Sequence, residues 1–210
     1  MKTQLIYSLS EPQEKTEGKS YPAIFVMHGM GSNEQDLPSI LQAVKQDYFI
    51  FSLRGPISQP PGFSFFTIER IGVPHREPFV KIIQDIQEFI NKAVEEYPID
   101  ADQLYLLGFS QGAILSQSLV TILGNKLAGI VSLSGYLPQI VVQEMQHAPM
   151  NNVRILLAHG EQDQVIPYSW SEQSKEFFEE KGAIVQHYPY IGGHFVTQQL
   201  VDEIGKYFGV

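Results

Sequence analysis

The sequence predicts an α/β fold with a mainly parallel central sheet flanked by helices. Short apolar segments alternate along the chain with longer segments whose apolar residues recur every three or four positions. The short segments are continuously apolar, which is typical of strands covered on both faces of a parallel sheet. Because this alternation runs through the chain with no repeat or linker, we expect a single domain over residues 1–210.

Six strands are predicted from the short apolar segments. In chain order they are Tyr21–Met27, Asp47–Leu53, Leu104–Leu107, Ala128–Leu133, Val153–Ala158 and Ala183–Tyr188. Five helices are predicted between and after them. The clearest is Pro78–Tyr97, where one apolar stripe begins near Pro78 and ends before Pro98. The others are Leu37–Lys45, Gln111–Leu123, Tyr168–Lys181 and Val196–Phe208.

Composition excludes several classes of function. The chain has 14 basic and 23 acidic residues, a net charge of −9, which argues against nucleic acid or an anionic membrane as the main partner. It has no cysteine, so disulfides, thiolate metal sites and a cysteine nucleophile are excluded. The first residues do not resemble a signal peptide, and no apolar run approaches about 18 residues, so we expect a cytoplasmic protein without a membrane span.

A nucleophile motif stands between a predicted strand and a predicted helix. Gly108-Phe109-Ser110-Gln111-Gly112 follows the strand Leu104–Leu107 and has the pattern G-x-S-x-G. In this setting the serine sits on a sharp turn that requires small neighbours, and the helix N-terminus offers free N–H groups. The sequence therefore predicts Ser110 as a catalytic nucleophile. The structural alternative is a glycine-rich turn with an incidental serine.

A serine nucleophile needs a base and a group that orients the base. Of the six histidines, His194 follows two glycines in a loop between the last strand and the last helix. Asp163 lies in the loop after Val153–Ala158, with Glu161 as its nearby rival, and His159 is expected to support that loop. The order serine, acid, histidine is the order of α/β-hydrolases. The alternatives are a solvent-exposed loop histidine and an aspartate that only forms a turn or caps a helix.

An oxyanion hole is predicted from the glycine-rich loop that follows the first predicted strand. Its glycines allow the backbone to approach a substrate, so the backbone N–H groups of Met30 and Gln111 are the predicted donors. The alternative is a loop that only caps the next helix, with Asp36 as N-cap. His28 is expected to be a structural hydrogen-bonding residue.

One long irregular stretch, Arg54–Glu77, contains a group of aromatic residues. Long irregular loops in compact domains are usually functional or mobile. Phe63, Phe65 and Phe66 are therefore candidates for substrate binding, together with Met30. Packing in the core is an equally weighted alternative for the phenylalanines.

Several of these motifs together resemble the phospholipase/carboxylesterase family of small α/β-hydrolases, which includes bacterial carboxylesterases and acyl-protein thioesterases. The segments that carry the resemblance are His28–Gly31 with Asp36–Leu37, Arg54–Pro56, Gly108–Gly112, Asp163–Pro167 and Gly192–His194. The resemblance implies an α/β-hydrolase fold with no large cap domain, the triad Ser110, Asp163 and His194, and the oxyanion donors Met30 and Gln111. The chain departs from the family at Ala113, where a glycine is common, and at Met30, where thioesterase members usually have leucine. Residues 63–67 match the family's acyl-pocket loop only loosely.

These observations predict a serine carboxylesterase that works through an acyl-enzyme on a small-molecule ester. No cofactor and no metal is expected, and a homodimer is a further expectation. The alternatives are a thioesterase or lysophospholipase for longer acyl chains, a lyase or acyltransferase with the same triad, and a non-catalytic binding protein on the same fold.

Overall fold

The structure is a computed structural model that describes residues 4–210. Its strands are β1 (Tyr7–Ser10), β2 (Tyr21–Met27), β3 (Phe49–Leu53), β4 (Ile57–Gln59), β5 (Gly62–Ser64), β6 (Ile68–Arg70), β7 (Val73–Pro74), β8 (Ile99–Phe109), β9 (Gly129–Leu133), β10 (Arg154–Gly160) and β11 (Ile184–Tyr190). Its α-helices are α1 (Arg76–Glu96), α2 (Gln111–Leu123), α3 (Gln139–Glu144), α4 (Tyr168–Glu180) and α5 (Gln198–Phe208). Short 3₁₀ helices cover Leu37–Leu41 and Gly124–Lys126.

Seven strands form the central sheet, in the order β1-β3-β2-β8-β9-β10-β11. All neighbours are parallel except β1, which pairs antiparallel with β3 at the edge. The chain runs from β2 outward to β3 and then returns to β8 on the other side of β2. In open α/β sheets, ligands bind at such a reversal, outside the carboxyl ends of the strands. Met27 and Gly108 are register partners there, so the loops that follow β2 and β8 meet at this edge.

Apolar layers cover both faces of the sheet, as the continuously apolar strands predict. On β2, Phe25 and Met27 pack on the face covered by α1 and α2, whereas Ile24 and Val26 pack on the other face. The second face is covered by α5 and the 3₁₀ helix Leu37–Leu41. The predicted α/β fold with a mainly parallel sheet is therefore confirmed. Among residues 4–210, no helix has the length and apolar character needed to cross a membrane.

The structure differs from the sequence-based prediction in four places. The edge strand β1 was not predicted, because its burial is only partial and its pattern is short. The predicted helix Leu37–Lys45 is only a 3₁₀ helix over Leu37–Leu41, followed by turns. Helix α3 was also missed; it has six residues, too few for a helical period to be visible. The stretch predicted as irregular, Arg54–Glu77, contains the hairpins β4–β5 and β6–β7 and the start of α1.

Candidate active site

Ser110 occupies a strained turn between β8 and α2. Its backbone φ is 52° and its ψ is −113°, a conformation that residues with a side chain rarely adopt. The flanking glycines make the turn possible. A Cβ on Gly108 would lie 2.2 Å from the backbone of Gly112, and one on Gly112 would lie 1.9 Å from the carbonyl oxygen of Met27. Strand β2, strand β8 and helix α2 can therefore approach this closely only when both positions are glycine.

A chain of hydrogen bonds links Ser110, His194 and Asp163. The Ser110 Oγ lies 2.8 Å from Nε2 of His194, and Nδ1 of His194 lies 2.7 Å from Oδ2 of Asp163. An ionised carboxylate only accepts hydrogen bonds, so Nδ1 of His194 carries the proton and Nε2 can accept from the serine hydroxyl. These three residues, which the sequence predicted as a triad, thus have the geometry of a nucleophile, a base and an orienting acid.

The Asp163 carboxylate is fixed by its own loop. Its side chain is fully buried, and its Oδ1 accepts from the backbone N–H groups of Val165 (2.8 Å) and Ile166 (2.9 Å). Burial raises the pKa of Asp163, but the hydrogen bonds from His194 and these two amides outweigh burial and hold the pKa below its ordinary value. The rival acid, Glu161, is exposed and makes no hydrogen bond to His194.

The loop of His194 is packed directly against the loop of Asp163. The N–H of Gln162 donates to the Gly192 carbonyl at 2.9 Å, and a Cβ on Gly160 would lie 2.4 Å from that same oxygen. The imidazole of His194 stands 4.9 Å from the ring of Phe109, centroid to centroid, and its side chain is 16% exposed. The imidazole is therefore held in place by its neighbours and keeps part of its surface exposed.

A second histidine, His159, supports the acid loop from within the core. Its Nε2 donates to the Ile166 carbonyl at 2.9 Å and lies 3.3 Å from Oδ2 of Asp163. Burial lowers the pKa of His159, so the ring is neutral near pH 7. This histidine ties the carboxylate to the loop that presents it.

The two predicted oxyanion donors lie on either side of Ser110. Gln111 is the first residue of α2, where backbone N–H groups have no partner within the helix. Gly29 precedes Met30 and lies against the serine, since a Cβ on Gly29 would be 3.5 Å from that of Ser110. Among residues 4–210, the backbone hydrogen bonds formed in turns, loops and helix caps include none that is donated by the Met30 N–H or the Gln111 N–H. Both amides therefore belong to segments that lie next to Ser110.

Two of the three phenylalanines with a predicted substrate role lie in the core. Phe65 is 1% exposed and Phe66 is 0% exposed, and the Phe66 ring packs edge-on against Phe79 at 4.9 Å. Phe63 keeps some exposed surface and lies under the guanidinium of Arg54, 4.6 Å from its ring centroid. Burial thus supports the core alternative for Phe65 and Phe66 and leaves a substrate contact open for Phe63.

Sequence reasoning missed the role of one side chain, that of Gln111. Its Oε1 accepts from the Phe65 N–H at 2.6 Å, and its Nε2 donates to the Phe66 carbonyl at 2.7 Å. The available signal in the sequence was a long polar residue at the start of a mostly apolar helix, and the structure shows that side chain 3% exposed. Asp36 stands before the 3₁₀ helix but makes no capping bond; its Oδ2 accepts from the Ser32 hydroxyl at 2.6 Å.

In the described part of the chain, no group of three or more histidine, aspartate or glutamate side chains is placed to hold a metal ion.

The sheet order, the strained serine turn and the covering helices define the class of the α/β-hydrolases. Comparison with known families gives the narrower assignment: the profile of the phospholipase/carboxylesterase family matches residues 13–208. The chain therefore belongs to this family.

Similar proteins agree with this assignment. Acyl-protein thioesterase 1 of Candida albicans is 27% identical over 180 residues, which cover 76% of this chain and 78% of that protein. Acyl-protein thioesterase 1 of Debaryomyces hansenii is 26% identical over 207 residues, covering 86% and 87% of the two chains. Among solved structures, the Bacillus cereus carboxylesterase superimposes with a TM-score of 0.87 at 24% identity, covering 98% of this chain and 93% of that chain. At that identity the superposition shows the shared fold.

Proposed function

We propose that this protein is a serine carboxylesterase that hydrolyses carboxylic esters through an acyl-enzyme. The observation that carries the proposal is the unbroken hydrogen-bond chain from Ser110 through His194 to Asp163, which starts at a strained turn. Structural glycines explain why such a turn is tolerated, but they do not explain why its hydroxyl faces an oriented imidazole.

The reaction has two steps. As the Ser110 Oγ attacks the ester carbonyl, its proton passes to Nε2 of His194, and Asp163 stabilises the imidazolium. The N–H groups of Met30 and Gln111 donate to the oxyanion, an effect worth about 3–4 kcal/mol per donor. His194 then protonates the leaving alkoxide, and the ester C–O bond breaks. In the second step His194 takes a proton from water, whose oxygen attacks the acyl carbon. As the bond from that carbon to the Ser110 Oγ breaks, His194 returns the proton to Oγ, and the carboxylic acid and free serine are released.

Exposed apolar side chains around the site favour a substrate with an apolar group. Met30, itself a proposed oxyanion donor, is 44% exposed. Val165, two positions after Asp163, is 48% exposed, and Phe195, directly after His194, is 53% exposed. A single exposed apolar side chain is common on protein surfaces and needs no explanation. Here each of three loops that meet at the site provides one, and such a grouping is typical of a binding site for an apolar group.

The first experiment measures hydrolysis of p-nitrophenyl esters from acetate to palmitate by the wild type and by Ser110→Ala. We expect the variant to lose a factor of about 10⁴ or more in kcat with little change in melting temperature. Ser118→Ala is the matched control, because Ser118 is a buried serine of α2, the helix that follows Ser110, and its hydroxyl donates only to the Ile114 carbonyl. A fully active Ser110→Ala would disprove the proposal.

A thioesterase is the second candidate, and the thioesterase relatives favour it. Comparing kcat/KM for an oxyester and a thioester with the same acyl chain decides between the two.

Phe63→Ala tests the remaining substrate role of the phenylalanines, since a changed chain-length preference at unchanged melting temperature supports a contact with the acyl group. Cytoplasmic location and a homodimer stay predictions.

A further inference from the structure

The side chain of His28 bridges two backbone groups next to the site. It follows β2 directly and is 1% exposed. Its Nδ1 lies 2.7 Å from the Gly29 carbonyl oxygen, and its Nε2 lies 3.0 Å from the Gly55 nitrogen. A backbone N–H only donates, so Nε2 must be the acceptor. The ring is therefore neutral, with its proton on Nδ1, where it donates to Gly29.

This bond fixes the direction of one peptide unit. The Gly29 carbonyl and the Met30 N–H belong to the same planar trans peptide, in which the two groups point in opposite directions. Holding the carbonyl on His28 therefore turns the Met30 N–H away from His28. The Gly29 carbonyl also accepts from the Ser32 N–H at 3.2 Å, but that bond lies within the same glycine-rich loop. The shorter bond from His28 is the one that ties this peptide to the end of β2 and, through Gly55, to the core.

The segment that anchors His28 also anchors the other donor. Gly55 sits against the backbone of Ser64, where an added Cβ would lie 2.4 Å away. The ring of Phe65 lies 4.7 Å from that of His28, and the Phe65 N–H is held by the Gln111 side chain. Residues 55–66 thus connect the two sides of the proposed oxyanion hole through buried hydrogen bonds.

We propose that His28 is a positioning residue that aims the Met30 N–H at the oxyanion and couples it, through residues 55–66, to the side that carries Gln111. The inference rests on the proposed function, because it gives the Met30 amide a role in the same reaction. His28 itself does not touch the reacting atoms.

The environment keeps the ring in the form that the role requires. Burial lowers the pKa of His28, and this outweighs the Gly29 hydrogen bond and the nearby charges of Asp36 and Glu34, which raise it; Arg54 lowers it further. A proton on Nε2 would face the Gly55 N–H, so a charged ring would lose that acceptor contact.

The test uses two variants of the full chain. Asparagine at position 28 can place its amide nitrogen near the position of Nδ1 and keep the bond to Gly29, whereas leucine loses both bonds. We expect His28→Leu to lower kcat by a factor of about 10²–10³ with a small change in KM, as for loss of one oxyanion donor. We expect a trifluoromethyl ketone, whose adduct carries an oxyanion, to bind more weakly by a similar factor. His28→Asn should recover part of both losses.

His147→Asn is the matched control, because His147 is a partly buried histidine that bonds only to the Val141 carbonyl. It should change the melting temperature without changing ketone affinity. The proposal is overturned if folded His28→Leu keeps the wild-type kcat and ketone affinity, or if kcat falls while ketone affinity does not. Should the leucine variant fail to fold, His28→Gln replaces it, because its Oε1 can accept from the Gly55 N–H while no donor remains at the Nδ1 position. Wild-type kcat and ketone affinity in folded His28→Gln then overturn the proposal.

The Met30 amide also reports without catalysis. In protein labelled with ¹⁵N-methionine, its resonance should move in both His28 variants and stay in place in His147→Asn. A stationary resonance in the variants contradicts the positioning role even if the enzyme is active. By contrast, a wild-type protein without esterase activity, or a fully active Ser110→Ala, would refute the proposed function. In that case only the Met30 resonance would test whether His28 orients the Gly29–Met30 peptide.

Discussion

Replacing Asp163 by asparagine tests the hydrogen-bond chain at the atom that sets its direction. The asparagine oxygen can still accept from the N–H groups of Val165 and Ile166, so the loop should keep its shape. The amide nitrogen then faces Nδ1 of His194 across the present 2.7 Å contact. Because an amide nitrogen donates, Nδ1 must accept, and the ring proton moves to Nε2. The Ser110 hydroxyl would then face an N–H group and have no base.

The magnitude follows from the two changes. The wrong tautomer costs a factor of about 10⁴ in kcat in comparable triads, which is about 5.4 kcal/mol of activation free energy. Stability should change less. Hydrogen bonds to an ionised group contribute about 1.5–3 kcal/mol and those between neutral groups about 0.5–1.5 kcal/mol, so we expect a loss of roughly 1–2 kcal/mol. In a chain of 210 residues this lowers the melting temperature by about 2–8 °C.

The assay compares steady-state p-nitrophenyl ester hydrolysis and thermal unfolding for the wild type and Asp163→Asn. Asp202→Asn, at a surface position of α5, is the control and should match the wild type in both measurements. If folded Asp163→Asn keeps activity within tenfold of the wild type, the reasoning about the tautomer is refuted.

Two further predictions concern stability. Gly112→Ala should destabilise the fold by several kcal/mol or prevent folding, because the added Cβ would lie 1.9 Å from the Met27 carbonyl oxygen. The control is Gly205→Ala in α5, whose Cβ would lie 3.5 Å from the Val210 side chain, an ordinary contact distance. It should be neutral or stabilising in the same thermal unfolding assay. Acidification should also destabilise the protein. Burial holds the pKa of His28 and of His159 in the folded state below 6.5, their value in the unfolded chain. As pH falls below 6.5, these histidines therefore bind protons in the unfolded state first, and the free energy of unfolding decreases. Each contributes up to about 1.4 kcal/mol per pH unit until its folded pKa is reached; urea unfolding between about pH 7 and pH 5 measures this, and constant stability over that range would contradict it.

Local sequence patterns were enough for the parts of this protein whose conformation is decided locally. Continuous apolar runs identified the buried parallel strands, because both faces of such a strand must be covered. The motif Gly108–Gly112 identified the serine turn, because the close approach of three backbones there excludes every side chain larger than hydrogen. The order of Ser110, Asp163 and His194 was likewise readable, since each follows a recognisable strand.

Partners distant in sequence were decided only by the tertiary structure. Ser110 and His194 are 84 positions apart, and the order of the sheet brings them to 2.8 Å. No local pattern distinguishes Asp163 from Glu161; the distinction comes from which carboxylate the packing of the acid loop against the histidine loop turns inward.

The same holds for the aromatic segment and for His28. The sequence by itself determined the strand and helix periodicity, the serine turn and the candidate site residues, because backbone sterics and apolar spacing act over a few residues. Only the tertiary structure decided that Phe65 and Phe66 are core residues and that His28 joins Gly29 to Gly55. Burial and hydrogen-bond partners are set by segments far along the chain, and their identity is fixed only when the sheet has formed.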